Sequence, residues 1–249
     1  MSGKIVNIWR YPIKAHGREP LEHVELIEKQ TMPWDRAWAV PRVGSSADGA
    51  EWVSCGNFSR AAKNPALQAI ETRLDEGTGE LTLIHPDRPT LAFNPDRDQE
   101  AFVSWVTGLG PDTAPRPARL VKCRDRGMTD TAFASISLLN AASHRAVAQK
   151  LGRDIQTERW RGNYLIDGLA PWEEFEWVGK RLRLGGAVLK VIERIGRCQA
   201  TSVDTNTGKR DTDMLNVLSD GWGHTDFGVY AEVETGGDTK LGDGVELLP

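Results

Sequence analysis

Short apolar or alternating runs, separated by Gly, Asn, Asp and Pro, recur along the whole chain and restrict its fold more than any other feature. Strand side chains alternate between two faces, so brief runs bounded by turn formers specify a β sandwich or barrel rather than a helical bundle. The pattern predicts strands at 4–9, 23–27, 37–40, 81–84, 120–122, 164–166, 181–184, 188–192, 229–233 and 245–248. The clearest hairpin joins Arg181-Leu-Arg-Leu184 to Ala187-Val-Leu-Lys-Val191 through Gly185-Gly186, a pair able to take the positive φ that a two-residue primed turn demands at both positions. Further turns are expected at 75–79 and 241–244. The fold class expected is therefore mainly β with a few helices.

Two helices are expected. Phe102, Trp105, Val106 and Leu109 share one helical face ahead of Gly110, and a second helix is expected to start with Ser135 or Ser137 as N-cap and run to Leu151, with Gly152 after its end. The stretch Gly110-Pro-Asp-Thr-Ala-Pro-Arg-Pro117 interrupts the pattern. It is read as the boundary between a β-rich N-terminal domain, 1–112, and a C-terminal β-barrel domain, 113–249.

A chain of 249 residues with 31 Lys plus Arg, 35 Asp plus Glu and a net charge of −4 is long enough to bury a core, and its balance argues against nucleic acid as the main partner. No apolar stretch has the length of a signal peptide or a membrane span, so a cytoplasmic protein without a membrane partner is expected. The 3 cysteines, Cys55, Cys123 and Cys198, are widely spaced and odd in number, so reduced thiols are expected rather than disulfides.

The common motifs of nucleotide, metal and hydrolase chemistry are missing: there is no Gly-x-Gly-x-x-Gly, Walker loop, His-Glu-x-x-His, Gly-x-Ser-x-Gly or Cys-x-x-Cys. What stands out is Cys198 in Glu193-Arg-Ile-Gly-Arg-Cys-Gln-Ala-Thr-Ser-Val-Asp204, directly after a predicted strand. Arg194 and Arg197 would stabilise its thiolate if their guanidinium groups face it, and a thiolate suits a soft metal centre. On the segment alone, the plainer account of Cys198 is a small buried residue at a strand end with the arginines facing solvent. A second cluster, Glu158-Arg-Trp-Arg-Gly-Asn163, offers Arg forks suited to phosphate or carboxylate and an amide able to read a heterocycle edge. Tyr11-Pro-Ile-Lys14 and Trp34-Asp-Arg36 add cations at loop positions.

Taken in order, these pieces resemble the MOSC family, the domain of molybdenum cofactor sulfurases and amidoxime-reducing components. The resemblance rests on Tyr11-Pro-Ile-Lys14, Trp34-Asp-Arg-Ala-Trp38, Arg159-Trp-Arg-Gly-Asn163, Arg197-Cys-Gln-Ala-Thr-Ser-Val-Asp-Thr-Asn-Thr-Gly208, and Phe227-Gly-Val-Tyr-Ala-Glu-Val233 followed by Leu241-Gly-Asp-Gly244. It implies a β-rich N-terminal domain joined to a MOSC β-barrel, and a molybdenum-pterin cofactor whose metal is ligated by Cys198. Lys14, Arg36 and Arg161 would then clamp a polyanionic cofactor, with Asn163 reading the pterin. Ala15 and Gly196 stand where relatives often carry Ser, so backbone N–H groups would have to replace hydroxyl contacts there.

Two functions follow from the resemblance. One is a molybdenum-dependent oxidoreductase in which Cys198 is the catalytic metal ligand and an N-hydroxylated small molecule is reduced. The other is a carrier holding sulfur or the cofactor on Cys198 without turnover. The pyridoxal phosphate domain of the sulfurases is not expected in a chain of this length. No iron–sulfur cysteine pattern or flavin or nicotinamide fingerprint is present, so a reductase of this kind would draw electrons from a separate flavin or iron–sulfur protein.

Overall fold

The computed structural model describes residues 2–249. Its centre is a closed barrel of 7 strands, running in ring order Tyr164–Asp167, Ile136–Asn140, Asp226–Thr235, Ala187–Gly196, Arg181–Leu184, Gly244–Leu247 and Ser2–Arg10. Ser2–Arg10 pairs antiparallel with Tyr164–Asp167, Ile8 facing Tyr164, and so closes the ring. Closure leaves no barrel edge free to recruit a foreign strand. The inward positions, among them Ile5, Ile8, Leu138, Ile166, Leu189, Val229 and Ala231, form one buried cluster.

Ile136–Asn140 and Tyr164–Asp167 form the ring's parallel pair, and the Ala141–Leu151 helix makes the crossover that parallel pairing requires. Here the structure corrects the expected helix start. Residues 136–140 are strand, and the N-cap is Asn140, whose side chain accepts from the N–H of Ala142. The capping hydroxyls of Ser135 and Ser137 serve other partners. Gly152 ends the helix at φ 67°, as expected. A third helix, Met214–Trp222, was not foreseen; with Trp160 and Phe227 it builds a cluster on the outside of the barrel.

The N-terminal half contributes an antiparallel sheet of Glu71–Asp75, Glu80–His85 and Arg88–Phe93, covered by the helix Gln99–Val106. Phe93, Phe102, Val106, Leu81 and Leu83 form its core with Trp38. The boundary expected at residue 112 does not divide the strands. Ser2–Arg10 belongs to the barrel, His23–Leu26 pairs with Gly237–Lys240, and Trp38–Ala39 pairs with Val121–Lys122. The two halves are therefore stitched by strands exchanged in both directions, which fixes the loops where they meet. The hairpin at Gly185-Gly186 forms, but only Gly185 takes a positive φ, 56°, so the doubly left-handed turn is replaced by another conformation. Among the described residues no helix is long and apolar enough to cross a membrane.

Candidate functional site

Loops from both halves converge on one cleft, whose lining includes Lys14, Arg36, Arg161 and Cys198. Residues far apart in sequence meet there because Ser2–Arg10 delivers the 11–17 loop to the mouth of the barrel, while Tyr164–Asp167 begins just after Arg161. Among the described residues six other than glycine have a positive φ, and three of them, Ala15 (66°), Arg36 (52°) and Arg161 (52°), line this cleft. Each left-handed conformation costs about 1–3 kcal/mol, a strain that surrounding contacts must hold in place and that tends to collect at functional sites.

Cys198 follows the strand Ala187–Gly196, whose pairing with Asp226–Thr235 shifts register between Val191 and Glu193 and again between Arg194 and Gly196. Such bulges re-aim the residues that follow them. The carbonyl of Cys198 accepts from the Thr201 N–H (3.1 Å) and hydroxyl (2.9 Å), which anchors the backbone and leaves the side chain exposed. The two flanking arginines do not both attend the thiol, as the sequence suggested. Arg194 lies 4.3 Å over the Phe175 ring. Arg197 lines the cleft but donates from Nη1 to the Trp160 carbonyl (2.6 Å) and from Nε to that of Phe227 (2.8 Å), so it braces the loop before Arg161 against the strand beside Cys198.

The cationic wall is built on Tyr11. Arg36 and Arg161 place their guanidinium carbons 4.5 and 4.3 Å from the centre of its ring, and its hydroxyl donates to the Gly162 carbonyl (3.0 Å). Burial pushes the Tyr11 phenol up to about 12 against the pull of Arg161 and Arg36, so it stays a neutral donor. Asp35, fully buried, accepts from the Tyr11 N–H (2.9 Å) and from Arg36 Nη1. Burial pulls the Arg36 guanidinium down, but Asp35 above all, with Tyr11 and Asp130, outweighs it and leaves the group raised. Lys14 Nζ donates to the Met128 (2.8 Å) and Thr129 (3.3 Å) carbonyls and to Asp130. Burial raises the Asp130 carboxyl, but Lys14, Arg36 and Arg161 outweigh it and hold the group below the ordinary range.

Arg161 is the incompletely satisfied member. Its Nη1 reaches Gln68 Oε1 (3.2 Å) and the Gly17 carbonyl (3.4 Å), while Nη2 is buried without a partner. Burial, with Arg36 and Arg18 nearby, drags its guanidinium down to about 10. A buried, unpartnered donor on a strained cation in a cleft wall suits an acceptor oxygen of an anion.

Two residues of the sequence motif serve the frame instead. Asn163 does not line the cleft: its Oδ1 accepts from the Ser137 hydroxyl (2.8 Å) and N–H (3.1 Å), and its Nδ2 donates to the Trp9 carbonyl (3.2 Å). An amide so committed has no edge left to read a heterocycle, which corrects the role expected of it. Arg159 also lines the cleft but is fully buried; it bonds to Gln156, Thr201 and Asp211, keeps an unpartnered Nε, and ties the Arg161 loop to the turn after Cys198. The sequence reading missed Asp130 and Gln68, which also bridges halves by donating from Nε2 to the Ala200 carbonyl (3.0 Å). Neither sits in a recognisable motif.

Comparison with known proteins now bears on the site. The family described as MOSC domain matches residues 125–246, and the MOSC N-terminal beta barrel domain matches residues 2–108, so the two occur in tandem over nearly the whole chain. The chain belongs to the MOSC family. This MOSC protein is 28% identical to mitochondrial amidoxime-reducing component 1 of Mus musculus over 99% of its own length and 82% of the relative's. It is 31% identical to molybdenum cofactor sulfurase 2 of Culex quinquefasciatus, over 69% of its own length but 28% of that longer protein. Among solved structures, the YuaD protein from Bacillus subtilis aligns with 99% of this chain and 96% of its own, at 12% identity and a TM-score of 0.47. The mainly β fold with a closed barrel expected of a MOSC protein is what the chain forms.

The cleft residues fit the polyanionic, thiolate-ligated group implied for the family. Cys198 presents an exposed thiol, Lys14 and Arg36 add fixed positive charge, and Arg161 Nη2 lacks an acceptor. Among the described residues no cluster of three or more His, Cys, Asp and Glu is placed to hold a metal ion.

Proposed function

We propose that this MOSC protein binds a molybdenum-pterin cofactor through Cys198 and reduces N-hydroxylated small molecules with electrons from a separate protein. The observation that carries the reading is the unpartnered, buried Nη2 of Arg161 in the same cleft as the exposed Cys198. When bound, the cofactor supplies a metal centre able to take the oxygen atom of an N–OH group; the net change is two electrons and two protons taken up per water released.

The chain's own residues set the conditions. Arg161 and Arg36 hold anionic oxygens on fixed forks, which suit phosphate better than a mobile ammonium does. Lys14 adds a point charge whose direction is set by the Met128 and Thr129 carbonyls and Asp130. The brace from Arg197 to the Trp160 and Phe227 carbonyls keeps the Arg161 loop in register with Cys198, so anchor and clamp stay at a fixed separation. Three cation anchors around one thiol favour lasting tenure of a cofactor over transient handling of sulfur.

The test loads the protein with cofactor in cells that make it and offers an amidoxime with reduced viologen as electron donor. Substrate-dependent viologen oxidation that is lost in Cys198→Ala is the expected result. A carrier instead releases sulfur from Cys198 with cyanide and leaves the viologen untouched, and that result would overturn the reductase reading.

A further inference from the structure

A second recess adjoins the cleft and is lined by Arg42, Val43, Gly56, Phe58, Arg60, Lys63, Pro115 and Arg116. Four of these are cations and none is a carboxylate. Among the described residues none of the four takes part in an ion pair. The concentration runs against the chain's net charge of −4, so it is local and not a reflection of composition.

The patch is rigidly built. Arg42 Nε donates to the Gly56 carbonyl (2.9 Å), the Arg42 N–H to that of Asn57 (3.1 Å) and the Val43 N–H to that of Arg116 (3.1 Å), so three chain segments hold the charges in place. It is also continuous with the cleft, since Arg60 lines both and Cys55 and Gly56 line one each. On the opposite flank the exposed Arg210 donates to the carbonyl of Ala62, itself a cleft residue (2.7 Å). Val43 lies among these cations and, at 62%, is the most exposed of the large apolar side chains among the described residues. An apolar point ringed by charge is the anatomy of a protein contact rather than of a track for a nucleic-acid backbone.

We propose that this surface is where an acidic electron-carrier protein docks; the inference rests on the reductase reading above. A reductase without its own flavin or cluster must receive electrons by contact, and electron transfer weakens steeply with distance, so the docking face has to border the cleft. Complementary charge steers such encounters, raises their rate by about 10- to 1000-fold and makes them salt-sensitive. A short-lived redox encounter also suits a small charged face better than a broad apolar one.

The experiment uses an acidic plant-type ferredoxin as probe. Binding to the full chain is measured at low and high salt for the wild type, for the triple variant Arg42→Glu, Lys63→Glu and Arg116→Glu, and for Lys29→Glu, an exposed lysine that lines neither recess. The wild type and Lys29→Glu should bind equally and lose affinity with salt, whereas the triple variant should bind at least about tenfold more weakly with little salt dependence. Viologen-driven activity should be unchanged in the triple variant, because its three residues lie outside the cleft lining, and thermal melting should fall only by the loss of the exposed Arg42 bond to the Gly56 carbonyl. No ferredoxin binding, equal binding by wild type and triple variant, or tighter binding of heparin than of ferredoxin would each overturn the docking proposal. Viologen-driven activity that is absent in the wild type overturns the reductase reading separately, since the binding measurement does not depend on turnover.

Discussion

Replacing Arg161 by Met separates a cation kept for a ligand from one kept for stability. In the ligand-free chain the guanidinium pays twice, through burial and through repulsion from Arg36 and Arg18, and its fall from 12.5 to about 10 corresponds to roughly 3 kcal/mol against the charged form. The sign follows directly: a base whose folded pKa is depressed carries this penalty at every pH below about 10, neutrality included. The substitution removes the penalty but also the bonds to Gln68 and Gly17, a loss of about 1–3 kcal/mol. Net stability of the ligand-free variant should therefore lie between that of wild type and about 2 kcal/mol above it. Cofactor retention should respond quite differently. One charge-assisted bond contributes about 1.5–3 kcal/mol, so affinity should fall roughly 10- to 150-fold. Urea unfolding of the ligand-free proteins and pterin content after gel filtration measure the two halves. A variant that unfolds far more easily than wild type yet keeps its pterin would show that Arg161 is structural and refute the reasoning.

Other expectations follow from the same geometry. His16 is buried, donates from Nδ1 to the Lys14 carbonyl and is pushed down to about 4 from 6.5 chiefly by burial, so the unfolded chain binds its proton first. Stability should fall by up to about 3 kcal/mol as pH drops from about 6.5 to 4, and His16→Gln should flatten that part of the pH–stability curve in urea titrations. Asn163→Ala leaves the Ser137 N–H and the Trp9 carbonyl without partners and should cost about 2–4 kcal/mol of stability, while metal per folded protein is unchanged by elemental analysis. Iodoacetamide followed by peptide mass mapping should find the exposed Cys198 modified well before Cys123, whose half-buried thiol is pushed up to about 11 by burial.

Most barrel strands were legible because their apolar residues alternate: Arg181–Leu184 coincides with its expected span. Ile136–Asn140 escaped because it is buried throughout, so its Ile-Ser-Leu-Leu-Asn run shows no alternation and merges into the helix behind it. The exchange of strands across the expected boundary left no local signal for a related reason. A Pro- and Gly-rich loop reports where the chain bends, whereas strand exchange between Ser2–Arg10 and the barrel is set by pairings more than a hundred residues apart, as in Ile8 with Tyr164. Within the site, the clustering of Lys14, Arg36, Arg161 and Cys198 came only from the family resemblance. The different partners of Arg159 and Arg161 could not be read from Arg-Trp-Arg at all: both line the cleft, but Arg159 bonds to Gln156, Thr201 and Asp211, and Arg161, in a left-handed conformation, to Gln68 and Gly17.

The central claim, that Cys198 anchors a molybdenum-pterin cofactor in this cleft, is tested most directly by the molybdenum-to-protein ratio of chain purified from cells that make the cofactor. Wild type, Cys55→Ala and Cys123→Ala should all carry the metal in near-stoichiometric amount, and Cys198→Ala should carry almost none. Wild-type protein without molybdenum, or a Cys198→Ala variant that retains it as fully as the other two, would contradict the account.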